Sequence, residues 1–342
     1  MDASKQPGSP AAAAGSASAP TDGVKRRSIT RFAGWLVGVQ GPLIGLVLLC
    51  LAFTVATNVF LTVRNGLNVL DQVTVLGILA VGMTAVIIIG GIDLSVGSIL
   101  ALSMMVMGWT HETYNLPLGL GILVALLVGG LCGLTNGLLI TRAKLPPFIA
   151  TLTMMSVARG LANIITDGRQ IVGFPEWFDQ LATVRHFGFL SATVGLFLVL
   201  VVASWVFLRY RATGRSLYAI GGSAEVARLA GIHVRPLTVW VYVASGVLSG
   251  LAGIALASRL DSSQPSAGLG YELDTIAAVV IGGASLSGGV GGMGGTVVGV
   301  LIIGVLHNGL NLTGVSPFVQ QIVIGVVIAV AVGSDTLRRR GA

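Results

Sequence analysis

Thr275–Ser334, TIAAVVIGGASLSGGVGGMGGTVVGVLIIGVLHNGLNLTGVSPFVQQIVIGVVIAVAVGS, contains no Asp, Glu, Lys or Arg. A helix needs about 20 apolar residues to cross about 30 Å of hydrocarbon, so this run holds more than one crossing. Glycine and proline supply the breaks: the cluster Gly288, Gly289, Gly291, Gly292, Gly294 and Gly295, then Gly314 to Pro317. Three spans follow, 273–288, 296–313 and 317–334.

Further uncharged runs lie upstream, at Phe32–Val63, Gln72–Ile92, Thr113–Thr141, Phe187–Leu208 and Pro236–Ser258. Backbone groups in lipid must pair within the protein, which leaves helices or a closed barrel, and runs of this length lack the period-2 alternation of barrel strands. The expected fold is therefore an all-α polytopic membrane protein. Seven more spans are placed at 42–61, 68–89, 94–110, 118–140, 147–166, 189–208 and 237–258, making ten. Composition agrees: of 342 residues 54% are hydrophobic and 10% charged, with a mean hydropathy of +0.90, and a soluble domain would carry about 25% charged residues.

An even number of spans puts both termini on one side, and the distribution of Lys and Arg identifies it. Fifteen basic residues fall in the tails and loops of that side, which makes it cytoplasmic. Only Arg64, Arg169, Arg185 and Arg259 fall opposite, and Arg159 lies inside the fifth span. The formal charge of +7 thus follows from topology; no aromatic and basic platform accompanies it, and no nucleic-acid partner is expected. Residues 1–32 form an expected disordered cytoplasmic tail, with Ala, Ser, Gly and Pro dominating 1–24. The membrane domain spans 33–337, and 338–342 form a short cytoplasmic tail. The first apolar run is too long for a signal-peptide core and is read as a retained helix. Cys50 and Cys132 fall within spans, where thiols act as small hydrophobes.

An internal repeat stands out. Ile89-Gly90-Gly91-Ile92-Asp93-Leu94-Ser95-Val96-Gly97 and Ile281-Gly282-Gly283-Ala284-Ser285-Leu286-Ser287-Gly288-Gly289 share six of nine positions. The copies close spans two and eight, so they run in the same direction, as in a parallel structural repeat. In each, the Gly pair permits a tight turn and Asp93 or Ser285 is suited to cap the next helix. Glycine is abundant throughout, with 49 residues; Gly129-x-x-x-Gly133-x-x-x-Gly137 and Gly246-x-x-x-Gly250 allow close helix packing.

The longest cytoplasmic loop is 209–236. Within it Ser223 to Gly231 reads as a short helix, with Ser223 as N-cap, Glu225 in the first turn and Gly231 as the stop; Glu225 and Arg228 are spaced to pair. Such a helix is either a surface element or a docking site for a soluble partner.

Taken together, these residues identify a resemblance. Val81-Gly82-Met83, Gly90 through Ser98, Pro146-Pro147-Phe148-Ile149-Ala150-Thr151-Leu152, Gly214-Arg215 with Gly221-Gly222, Ala227-Arg228-Leu229-Ala230-Gly231-Ile232, and Ala277 through Gly283 resemble the permease subunits of ribose-type bacterial ABC sugar importers, over about residues 40–335. The resemblance implies a subunit of the ten-helix type in the inner membrane that pairs as a homodimer. It also implies a cytoplasmic ATP-binding subunit, which carries the ATP and Mg, and a periplasmic sugar-binding protein that delivers a monosaccharide. Such permeases carry an E-A-A-x-x-x-G coupling helix. Glu225, Ala227 and Gly231 match it, Val226 replaces the middle Ala, and Ser223 and Arg228 flank the match.

The chain itself is not expected to be an enzyme. A P-loop needs Gly before its Lys, and Lys5, Lys25 and Lys144 follow Ser4, Val24 and Ala143. No nucleophile, base and orienter stand together, and no His spacing suggests a metal site. Within the membrane, His307, Asn308 and Asn311 form a polar stripe that either meets sugar hydroxyls or bonds to neighbouring helices. Arg159, the other translocation-path candidate, either serves the path, snorkels or meets backbone carbonyls. Arg64, Arg169, Arg185 and Arg259 are either docking contacts for acidic residues of the binding protein or ordinary loop charges. Two alternatives remain: an ABC permease for another small solute such as a branched-chain amino acid, and an ion-coupled secondary sugar transporter. The second requires membrane-embedded acids, whereas Asp71, Asp93, Glu272 and Asp274 are expected at span ends.

Overall fold

The computed structural model describes residues 41–340. The expected disordered tail at 1–32 lies outside them. Thirteen helices follow in order: α1 Gly41–Ala56, α2 Val63–Ile88, α3 Val96–Tyr114, α4 Leu118–Thr141, α5 Pro147–Ile164, α6 Glu176–Thr183, α7 Ala192–Tyr210, α8 Ala212–Gly222, α9 Ala224–Leu229, α10 Val234–Leu260, α11 Tyr271–Ile281, α12 Met293–Leu312 and α13 Pro317–Arg340. Their starts are legible locally. Pro147 and Pro317 open α5 and α13 at positions that need no N–H donor, and Thr62 and Ser191 cap α2 and α7 by accepting from Asn65 N and Val194 N.

Among the described residues five helices are long and apolar enough to cross a membrane alone: α2, α4, α7, α10 and α12. They differ in what surrounds them. From Val73 to Ile88 nearly every α2 side chain is buried, the pattern of a helix enclosed by other helices. α7 buries only Val194, Phe197 and Leu208, and α4 exposes Leu120, Leu123, Leu127 and Leu131, so one flank of each faces the surroundings of the bundle. Apolar exposure on this scale would aggregate in water and is the ordinary surface of a protein in lipid.

α4 and α10 pack without side chains between them. A Cβ on Gly246 would lie 2.1 Å from the Gly129 carbonyl oxygen, and one on Gly129 would lie 2.4 Å from that of Gly246. No residue larger than Gly fits either position.

Three features differ from the sequence expectation. The eighth span, placed at 273–288, is the eleven-residue helix α11, which rises only about 16 Å. The chain on either side is non-helical and turned inward: Ser262, Ser263 and Pro265 are buried before it, and Ala284 and Ser285 after it. Irregular backbone at membrane depth is tolerated only when enclosed by protein in this way. Secondly, two short antiparallel ladders accompany the helices. Ile171–Val172 (β1) pairs with Ser262–Ser263 (β4), and Arg185–His186 (β2) with Leu190–Ser191 (β3). Thirdly, α6 and α8 occupy stretches read from sequence as loop.

The repeated motifs turn with a one-residue offset. Positive φ falls on the first glycine of the first pair, Gly90 at +78°, but on the second glycine of the second pair, Gly283 at +93°; Gly282, the counterpart of Gly90, is at −65°. Two residues after Asp93, the Ser95 amide donates to Asp93 Oδ1 at 3.0 Å; two residues after Ser285, the Ser287 amide donates to Ser285 Oγ at 3.3 Å. Neither Asp93 nor Ser285 is a helix N-cap, contrary to expectation: those positions are Ser95 for α3 and Gly292 for α12. A short side chain that bonds two residues ahead stabilises a turn in place of a cap.

Candidate coupling helix and membrane polar groups

Ser223 is at once the residue after α8 and the N-cap of α9, where its Oγ accepts from Val226 N at 3.3 Å. Glu225 lies in the first turn beside the positive dipole end. Its carboxylate meets Arg228 Nη2 at 2.5 Å, but both side chains are about two-thirds exposed, so the pair contributes little to stability. Gly231 takes φ +82°; its amide donates to Arg228 O and the Ile232 amide to Ala227 O, both at 3.0 Å. That pair of bonds is a Schellman stop, which needs a residue tolerant of the left-handed region.

The six-residue helix so closed is anchored through Ala227, 2% exposed, and presents Val226 and Leu229 outward at 64% and 78%. These two exposed apolar residues flanking an exposed ion pair were not singled out from sequence; the signal was the substitution of Val for Ala at 226. A short, doubly capped helix with apolar side chains in solvent is suited to fit a partner's groove. Just before it, Tyr218 donates from Oη to Gly291 O at 3.0 Å, and burial pushes its hydroxyl up, which keeps the donor protonated.

The polar stripe of α12 is fully engaged with its neighbours. His307 Nε2 lies 3.0 Å from Asp274 Oδ2 on α11. Asn308 and Asn65 on α2 exchange two bonds of 2.9 Å. Asn311 Oδ1 accepts from Gln320 Nε2 on α13 at 2.8 Å. One face of α12 is thereby bonded to three helices. Arg159 reaches from α5 to the segment before α11, donating from Nη1 to Pro265 O at 2.6 Å and Ala267 O at 2.7 Å.

Of the four arginines placed opposite the coupling loop, Arg64, Arg169 and Arg259 are exposed. Arg185 differs: its Nη2 pairs with Asp71 Oδ2 at 2.5 Å, both side chains largely covered, and it joins the β2–β3 ladder to α2. Of the acids expected at span ends, Glu272 and Asp274 lie in the first turn of α11 and Asp93 in the turn between α2 and α3, whereas Asp71 sits within α2; Asp274 is 8% exposed and Asp93 wholly buried. Asp93 receives Ser95 N, Ser95 Oγ and, from α10, Ser245 Oγ at 2.9 Å; Asn136 on α4 donates to Ser95 Oγ at 2.9 Å. Donors on both carboxylate oxygens offset part of the burial cost. No cluster of three or more His, Cys, Asp or Glu suited to a metal ion occurs among the described residues.

Comparison with known proteins bears on all of these groups. Residues 65–332 match the family described as branched-chain amino acid transport system / permease component. The ribose import permease protein RbsC of Bacillus subtilis is 47% identical over 297 residues, 86% of this chain and 92% of the relative. The L-arabinose ABC transporter permease protein AraH of Azospirillum brasilense is 39% identical over 280 residues, 82% of each chain. The fructose import permease protein FrcC of Rhizobium meliloti is 37% identical over 308 residues, 87% of this chain and 85% of the relative. No solved structure matches the chain. With a family match across most of its length and sugar permeases among its relatives over nearly their whole lengths, the chain belongs to the ribose-type ABC sugar permeases and is a multi-pass inner-membrane protein.

Proposed function

We propose that this chain is the translocating subunit of an importer that moves a monosaccharide, of the pentose or hexose class, into the cell without changing it chemically, with energy from ATP and Mg held by a separate cytoplasmic subunit. The observation that carries the reading is α9: a short, exposed, doubly capped helix bearing the Glu225, Ala227 and Gly231 pattern, in a relative of ribose, arabinose and fructose permeases. The ATP-binding subunit docks on Val226, Leu229 and the Glu225–Arg228 pair. Two copies of the chain form the membrane unit, each with ten passages and both termini cytoplasmic; α11, with the inward-turned chain on either side, makes the eighth. Arg64, Arg169 and Arg259 face the periplasm and meet acidic residues of a sugar-binding protein, whereas Arg185 is already taken by Asp71. The stripe His307, Asn308, Asn311 and the Arg159 side chain frame the path, and their hydrogen bonds to neighbouring helices and backbone favour that role over direct sugar contact.

The matching family is described by branched-chain amino acid permeases, so the test must offer both kinds of solute. The permease is reconstituted in liposomes with its ATP-binding subunit and binding protein, and ATP hydrolysis is followed with pentoses, hexoses, polyols and branched-chain amino acids. Stimulation by one sugar, lost in Glu225→Ala with Gly231→Val while the permease still inserts, is the expected result. Uptake that follows a proton or sodium gradient and needs no ATPase would overturn the reading.

A further inference from the structure

Three segments far apart in sequence meet at one point of backbone contact. The Gly289 amide, in the second repeat turn, donates to the carbonyl of Ile88, where α2 enters the first repeat turn, at 2.8 Å. Against that bond lies Gly221, near the end of α8. A Cβ built on Gly221 would stand 1.8 Å from Ile88 O and 2.4 Å from Gly289 N, and one on Gly288 would stand 2.8 Å from Gly221 O and 2.9 Å from Gly90 N. The neighbouring Gly222 has no atom within 4 Å of the same construction. A side chain at Gly221 is therefore blocked by the two repeat turns, whereas one at Gly222 would point into open space although the Gly222 backbone itself lies close to Gly289.

The link from this point to the surface is short. Ser223 alone separates α8 from α9, ending one helix and capping the other, so no flexible linker lies between them to absorb displacement. Three residues before Gly221, the Tyr218 hydroxyl holds Gly291 beyond the second turn. Close-packed backbone transmits displacement because it cannot be compressed. The second turn can respond, since Gly288, Gly289 and Gly291 all take φ values suited to glycine, +84°, +75° and +147°.

We infer that Gly221 is a positioning residue, the joint through which movement of α9 reaches both repeat turns at once, with Tyr218 holding the far side of the second. Force from α9 then acts on the end of α2 and on the chain leaving α11 together, through one hydrogen bond, rather than on a single helix. This inference rests on the coupling reading of α9 and adds the route inward from it.

The test uses the complete reconstituted complex and reads sugar moved per ATP hydrolysed, beside binding of the ATP-binding subunit. Gly221→Ala is expected to lower the ratio about tenfold, an effect of about 1.4 kcal/mol on the coupled step, with binding of the ATPase unchanged because α9 keeps its own caps. Tyr218→Phe, which removes one hydrogen bond and no volume from the fold, is expected to lower the ratio about threefold, and Gly222→Ala to leave it as in wild type. A merely structural role for Gly221 would lower the amount of inserted complex but not the ratio. If Gly221→Ala does not insert, Tyr218→Phe decides. A wild-type ratio in Tyr218→Phe and in any inserted Gly221→Ala overturns the inference while leaving the importer reading intact. Failure of the wild-type complex to hydrolyse ATP in response to any solute would remove the importer reading, and the joint with it.

Discussion

The two repeat turns place a side-chain acceptor at equivalent positions and differ in what that side chain is asked to do. In the first, Asp93 gathers Ser95 and, from α10, Ser245, while Asn136 of α4 bonds to Ser95, so one carboxylate organises the break before α3. In the second, the neutral Ser285 makes the corresponding bond to the Ser287 amide, and the chain continues through a run of glycines to α12. The first turn is thus a knot of several donors on one side chain, and the second a corner in a glycine-rich segment. A buried acceptor that gathers several donors resists rearrangement more than a turn rich in glycine does.

That contrast can be broken experimentally. Asp93→Ala would strand three donors from two residues, Ser95 and Ser245, and is expected to destabilise the protein by about 3 kcal/mol, the scale of several lost buried hydrogen bonds, read as a lower unfolding midpoint in detergent; a change below about 1 kcal/mol would show that Asp93 does not organise its turn. Gly90→Ala tests the left-handed residue of the first turn. Its Cβ would come no nearer than 3.7 Å to another residue, so only the positive φ resists it, and a cost of about 1–2 kcal/mol is expected from strain alone. Gly283→Ala, at φ +93° in the second turn, is expected to cost at least as much, and a smaller loss would show that the second turn relaxes more readily than the first. Ser285→Ala is expected to be mildest, about 1 kcal/mol for one turn hydrogen bond. A loss as large as that of Asp93→Ala would erase the distinction between knot and corner.

The parts legible from sequence were those encoded within about ten residues. Long uncharged runs located the five helices long and apolar enough to cross a membrane, and Ser223, Glu225 and Gly231 delimited α9, because capping and dipole effects depend only on neighbours along the chain. α8 escaped notice because its helical face is sparse: Gly214, Leu217 and Ile220 are buried at intervals of three, between charged and small residues. α6 did carry a signal, Pro175 followed by Glu176 and Asp179 in the first turn. The polar stripe could be seen but not interpreted, since the partners of His307 and Asn308 lie 33 and 243 residues away. Span ends were likewise a poor guide to acids. Asp71 looks terminal by hydropathy yet sits within α2, and although Asp274 does open α11, the basic partner of each is supplied only by the tertiary fold.

The shortness of α11 has a consequence for biogenesis. Eleven residues, rising about 16 Å, fall below what a membrane accepts as an independent span, and they carry Asp274 into a buried position. The imidazole that meets this acid belongs to α12, which leaves the ribosome later. During synthesis α11 therefore has neither the length to remain in lipid alone nor the partner that makes its carboxylate tolerable. If α11 is the eighth passage, as proposed, its integration is expected to await α12, so that the pair enters the bilayer together against the already inserted α2.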